Sequence, residues 1–84
     1  MNIDGGKVMV SALVMINVET GSDSEIKQAL KKIPNVKEIF LVYGVCDIVV
    51  KVEVESMTML QDAVIKKIRA LEKVKTTLTM IVYE

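Results

Sequence analysis

The chain has no histidine, no tryptophan, one cysteine and one proline among its 84 residues. Without histidine it lacks the usual general base near neutral pH, the commonest metal ligand and the partner that activates a serine or cysteine nucleophile. A lone Cys46 excludes an intrachain disulfide and a cysteine cluster for a metal. Charge of one sign is missing as well, since 11 basic and 11 acidic residues cancel. A protein that grips DNA through its phosphates normally carries a basic excess or a basic face. Lys31, Lys32, Lys66, Lys67 and Arg69 come nearest to one, and on helices they read as solvated faces. No apolar run is long enough to span a bilayer, because Lys51 and Glu53 interrupt the best stretch. Met1 to Lys7 has no basic region followed by an apolar core, so no signal peptide and a cytoplasmic location are expected. Neither a metal nor a cofactor is expected.

What the chain has in quantity is hydrophobic residues, 51% of a length that makes one small domain. A domain of this size buries a modest share of its surface alone, so the surplus points to association. After a flexible lead-in over residues 1–7 containing Asp4-Gly5-Gly6, Val8 to Val18 reads as a strand. Ala12, Val14, Ile16 and Val18 share one face, and Ser11, Leu13, Met15 and Asn17 share the other. Both faces are largely apolar, so both need cover. Ser22 and Glu25 have capping-box spacing, and Ile26, Ala29, Leu30 and Ile33 form one helical stripe that Pro34 ends. A second strand runs from Val36 to Tyr43 and a third from about Asp47 to Val54. A second helix follows from Ser56 to about Leu71, with Met57, Leu60, Val64, Ile68 and Leu71 as its stripe. Lys75 to Tyr83 is the last strand, with Leu78, Met80 and Val82 facing one way and Thr77, Thr79, Ile81 and Tyr83 the other.

The two halves of the chain resemble each other. Leu30, Ile33, Val36 and Lys37 match Ile68, Leu71, Val74 and Lys75 at an offset of thirty-eight, and Ser22, Ile26 and Ala29 match Ser56, Leu60 and Ala63 at thirty-four. The difference, four residues, is about one helical turn, which predicts a longer second helix in unchanged phase. The order β-α-β-β-α-β predicts an α+β, ferredoxin-like split arrangement: a four-stranded antiparallel sheet with two helices on one face. The other face is then open, carrying Leu13, Met15, Val49 and Ile81, and a second copy packed sheet to sheet is its simplest cover. The second and third strands meet at Gly44, where positive φ is expected, and at Asp47, which can bond the turn's own backbone. That turn is either a plain hairpin or a place where exposed N–H groups and one carboxylate receive a small ligand.

These elements carry a family likeness. Ala29-Leu30-Lys31-Lys32-Ile33-Pro34-Asn35-Val36, the turn Tyr43-Gly44-Val45-Cys46-Asp47, the strand Ile48 to Val54 and the close Val74-Lys75-Thr76-Thr77-Leu78-Thr79 resemble the C-terminal effector-binding (RAM) domain of the Lrp/AsnC regulators. The likeness runs from about Val8 to Tyr83. Family members usually carry a helix-turn-helix domain first; here seven residues precede the first strand, which suggests a stand-alone effector domain. Cys46 stands where an aromatic is common, and Tyr43 where threonine is common.

The resemblance implies a dimeric α/β barrel-like pairing of sheets and rings of dimers, often of four, an octamer. It also implies an amino acid bound between dimers near the β2–β3 turn. That places Gly44, Val45, Cys46 and Asp47 first, with the ligand carboxylate on the turn amides and its ammonium on Asp47. Tyr43 is expected to line the side-chain pocket, and Thr76, Thr77 and Thr79 to offer hydroxyl donors. The implied role is sensing of an amino acid, with transcription or amino-acid metabolism affected through another chain such as a full-length Lrp/AsnC-type regulator. No direct contact with DNA or membrane is implied. Two other readings stand beside it: a purely structural oligomerisation module, and a small dimeric ferredoxin-like enzyme, which the lack of His and Trp disfavours. The ACT fold has the same strand order and binds amino acids near the end of its first strand.

Overall fold

Alternation of side chains along the two central strands dictates the architecture. In the computed structural model, which describes residues 9–83, β1 (Val10–Val18), α1 (Asp23–Leu30), β2 (Val36–Leu41), β3 (Ile48–Val54), α2 (residues 57–69) and β4 (Val74–Val82) follow in that order. The lead-in at residues 1–7 and the start of β1 at Val8 lie outside the described residues. The sheet is antiparallel throughout, in the order β2-β3-β1-β4. On one face Ala12, Val14 and Ile16 of β1 lie beside Val52, Val50 and Ile48 of β3, all fully buried. Ile26, Leu30 and Ile33 from the first helical segment and Leu60, Val64, Ile65 and Ile68 from α2 close over them as one core. Each large aliphatic side chain buried this way contributes roughly 1.5–3 kcal/mol, so this face alone accounts for the fold.

The internal repeat is visible in the hydrogen bonds. Ile33 N–H donates to the Leu30 carbonyl and Val36 N–H to that of Ile33; thirty-eight residues on, Leu71 donates to Ile68 and Val74 to Leu71, all at 3.1 Å. Both helices thus end in the same tight turn before the next strand. A bulge comes next in each half. On β2 the register steps from Val36↔Val52 to Glu38↔Lys51, leaving Lys37 as the extra residue. On β4 it steps from Val74↔Val18 to Thr76↔Asn17, leaving Lys75.

Three expectations are corrected. Ser22 caps α1 by position but not through its side chain: its φ of −101° and ψ of 2° are not the extended conformation a capping hydroxyl needs. Its N–H instead donates to the Glu19 carbonyl at 2.9 Å, closing a turn in which Gly21 has φ +82°. Glu25, freed from the capping box, accepts a hydrogen bond from the Lys73 ammonium at 2.9 Å, and this bond holds the Lys73 pKa above its ordinary 10.5. A raised lysine pKa favours the folded state below that pKa, so the contribution is present at neutral pH and is lost as pH climbs past the lysine range. The second helix does receive its expected cap, Ser56 Oγ accepting from Met59 N–H at 3.0 Å.

The stripe of α2 is the second correction, and only in part, since Leu60, Val64 and Ile68 are buried as expected. Its centre, Leu60–Ile65, is π-helical, so more residues fit each turn than in an α-helix. Both Val64 and Ile65 are therefore buried, while Met57 is left half exposed. The change of repeat offset from thirty-four to thirty-eight falls within this stretch of helix. The third correction concerns Ile81, which pairs with Ala12 and so lies on the helix side. Leu78, Met80 and Val82 take its expected place on the open face.

Candidate functional site

The open face is built by register. Phe40, Val49, Met15 and Leu78 lie side by side across all four strands, an apolar row running the full width of the sheet. The next row reads Glu38, Lys51, Leu13, Met80, and Glu53, Ser11 and Val82 follow. Lys51 lies 3.9 Å from the carboxylates of both Glu38 and Glu53, so the charges gather at the β2–β3 side. Toward β4 the face is apolar, with Leu78 61% exposed and Met80 and Val82 about 40%. Among the described residues no helix covers it.

At one end of this face stands the β2–β3 turn. Gly44 has φ +140°, as the sequence predicts for this position. Cys46 is buried, whereas Tyr43 and Val45 project into solvent, the tyrosine fully exposed. Val42 N–H donates to the Asp47 carbonyl and Asp47 N–H to the Ile16 carbonyl, both at 3.0 Å. Among the described residues, the amides of Tyr43, Gly44, Val45 and Cys46 have no protein acceptor. The Asp47 carboxylate turns back on the sheet: Oδ2 accepts from Val18 N–H at 2.9 Å and so caps the end of β1. Asp47 therefore holds the turn in place, a role that leaves its remaining lone pairs for a ligand.

A concavity of about 300 Å³ joins this turn to β4, lined by Met15, Asn17, Val45, Cys46, Thr76, Thr77 and Leu78. Four of its residues are expected from the sequence, and three (Met15, Asn17 and Leu78) are not. Asn17 is placed here because it lies directly opposite Thr76 in the ladder. Its Nδ2 donates to Thr76 Oγ1 at 3.1 Å, which leaves the threonine proton free to donate onward.

The other expected residues stand apart. Asp47 lines a neighbouring concavity of about 360 Å³ with Val18, Glu19, Thr20, Gly21, Asp23 and Lys75. Tyr43 lines a third with Asp23, Leu41 and Val42. Thr79 pairs with Val14 further along β4, half-buried on the helix side. Among the described residues no cluster of His, Cys, Asp and Glu could hold a metal ion, and no helix is long and apolar enough to cross a membrane.

The backbone of Gly44 gives a direct test of the turn. A Cβ built there meets nothing within 4 Å, so the cost of a side chain is conformational alone. Gly44→Ala should destabilise the protein by about 1–3 kcal/mol, and Gly44→Val by a similar amount. A denaturant melt in which Ala is neutral and only Val is costly would mean that sterics, not φ, govern the position.

Comparison with known proteins bears on all of this. No curated protein matches the chain. Among solved structures, FFRP-DM1 is 34% identical with a TM-score of 0.84, over 88% of this chain and 99% of that one. AsnC of E. coli is 26% identical with a TM-score of 0.82, over 89% of this chain and 51% of that one. The transcriptional regulator NMB0573 of Neisseria meningitidis, solved as its L-Met complex, shares the fold at 14% identity, with a TM-score of 0.84 over 100% of this chain and 56% of that one. The family model of the Lrp/AsnC ligand binding domain matches residues 11–84, almost the whole sequence. The chain belongs to the Lrp/AsnC ligand-binding domain family.

Proposed function

We propose that the protein is an amino-acid sensor that works as an oligomer, with its site completed by a neighbouring copy. One observation carries the reading: the β2–β3 turn and the first residues of β4 share a concavity at the rim of an apolar sheet face that none of the described residues covers. A patch of this kind is a partner surface more often than not, and a two-fold pairing of sheets buries it without a second protein. Tyr43 and Val45, projecting clear of their own chain, are then the residues that meet the next dimer in a ring such as an octamer.

In this arrangement the ligand's carboxylate lies against the amides of Gly44, Val45 and Cys46, with the Thr76 hydroxyl as a further donor. Its ammonium takes the lone pairs of Asp47 that Val18 does not use. The Neisseria regulator of the same fold is a complex with L-Met, which makes amino acids the first class to test. A ligand seated between dimers stabilises the assembly that contains its site, by mass action. Lacking the basic excess of a DNA reader, the chain passes that change of assembly to transcription or amino-acid metabolism through another protein, for instance a full-length relative with matching surfaces.

Titration with the twenty amino acids, followed by calorimetry, melting temperature and elution volume, tests the reading. At least one should raise the melting temperature and shift the elution volume together. Silence to all twenty, with the oligomer intact, would leave a purely structural assembly module.

A further inference from the structure

A further concavity lies at the corner where α2 hands over to β4. It measures about 390 Å³ and is lined by Arg69, Val74, Lys75, Thr76 and Thr77. Arg69 ends α2, and Lys75 is the extra residue of the β4 bulge, a feature that re-aims a side chain relative to the regular pleat. Neither cation is paired: among the described residues the ion pairs of lysine fall to Lys51, Lys66 and Lys73. The Thr76 hydroxyl already accepts from Asn17 and keeps its proton to donate, and Thr77 follows it on the strand. Acidic groups are near as well. Lys75 also borders the concavity that holds Glu19, Asp23 and Asp47, though none forms an ion pair with it.

The internal repeat supplies a comparison within the same molecule. Thirty-eight residues earlier, Lys31, Val36 and the bulged Lys37 occupy the positions of Arg69, Val74 and Lys75. Glu38 and Ile39 stand there in place of Thr76 and Thr77. Both corners therefore have the same backbone turn, the same bulge and two cations. Only the β4 corner follows them with two hydroxyl donors, whereas the β2 corner follows them with a carboxylate and a hydrocarbon.

We propose that the α2–β4 corner is a second binding site, distinct from the turn concavity, for a compact small-molecule dianion: a phosphate monoester or a dicarboxylate. Two cations match two negative charges, the guanidinium offers a planar fork of donors, and Thr77, which lies opposite Ile16 on the helix side of β4, adds a hydroxyl. The site is open to solvent, so binding weakens as ionic strength rises.

Inorganic phosphate and succinate are the probes, each titrated into the whole protein at ionic strength held constant with chloride. Chemical-shift changes of the Thr76 and Thr77 amides and the melting temperature are the readouts. Saturable shifts with either probe are expected; phosphate alone would mark a phosphorylated ligand, succinate alone a dicarboxylic acid, and both a site that reads charge and size. Arg69→Gln with Lys75→Gln should weaken binding at least about tenfold, while Lys31→Gln with Lys37→Gln, the same loss of charge at the other corner, should leave it unchanged. Shifts no larger than chloride produces, or equal losses in the two double variants, would overturn the proposal.

Discussion

Met15→Glu is expected to convert the proposed sheet-to-sheet oligomer to folded monomers. Met15 sits in the middle of the row formed with Phe40, Val49 and Leu78, so both residues directly opposite it are apolar, and Lys51, diagonal to it on β3, already lies between Glu38 and Glu53. In a sheet-to-sheet dimer the new carboxylate would be buried unpaired, which costs roughly 3–5 kcal/mol, and two-fold symmetry imposes that cost twice. The dissociation constant should rise by more than about 10⁴-fold, since every 1.4 kcal/mol is a factor of ten. The protomer should remain folded, because Met15 is only half-buried in it and lies opposite the core. The choice of residue matters. Leu13 lies directly opposite Lys51 in the ladder, so a carboxylate there would find a partner and mute the effect. Sedimentation of wild type and variant measures the outcome. A variant that associates as tightly as wild type, or a wild type that is monomeric at high concentration, would remove the open face from the argument and the shared ligand site with it.

The second large effect belongs to Asp47, and two substitutions separate its two roles. Asp47→Ala removes the acceptor for Val18 N–H, a partly buried bond to a charged group, at a cost of about 1.5–3 kcal/mol. For a domain of this length that corresponds to a fall in melting temperature of roughly 6–24 °C. Asp47→Asn keeps an oxygen where Val18 needs it and removes only the charge. Its melting temperature should stay within a few degrees of wild type, while amino-acid affinity drops at least about tenfold as the ammonium loses its counter-charge. Calorimetry on the two proteins decides it. Unchanged affinity in the asparagine variant would leave Asp47 a turn cap and nothing more.

Reading the turn as the edge of a site came easily from the sequence; the way the site is divided did not. Gly44, Cys46 and Asp47 are adjacent in the chain, so their grouping is local and their types announce a turn. Asn17 and Thr76 are fifty-nine residues apart, and only the ladder between β1 and β4 brings them into contact. Asp47 and Thr76 line neighbouring concavities rather than one. Nothing in the spacing of those residues could have shown it, because register across an edge strand depends on a bulge whose extra residue, Lys75, carries no local signal.

The sequence by itself determined the order of the elements, the composition of the core and the existence of an apolar face with no cover. Those depend on periods of two and 3.6 and on an internal repeat, which are properties of neighbouring residues. The tertiary structure decided which of two apolar faces on β4 met the helices, sending Ile81 inward and Leu78 outward. It also decided that Glu25 would pair with Lys73 rather than cap its own helix, and that α2 would widen into a π-helix to bury Ile65. In each case the competing local choices were close in energy, and contacts from a distant part of the chain tipped the balance.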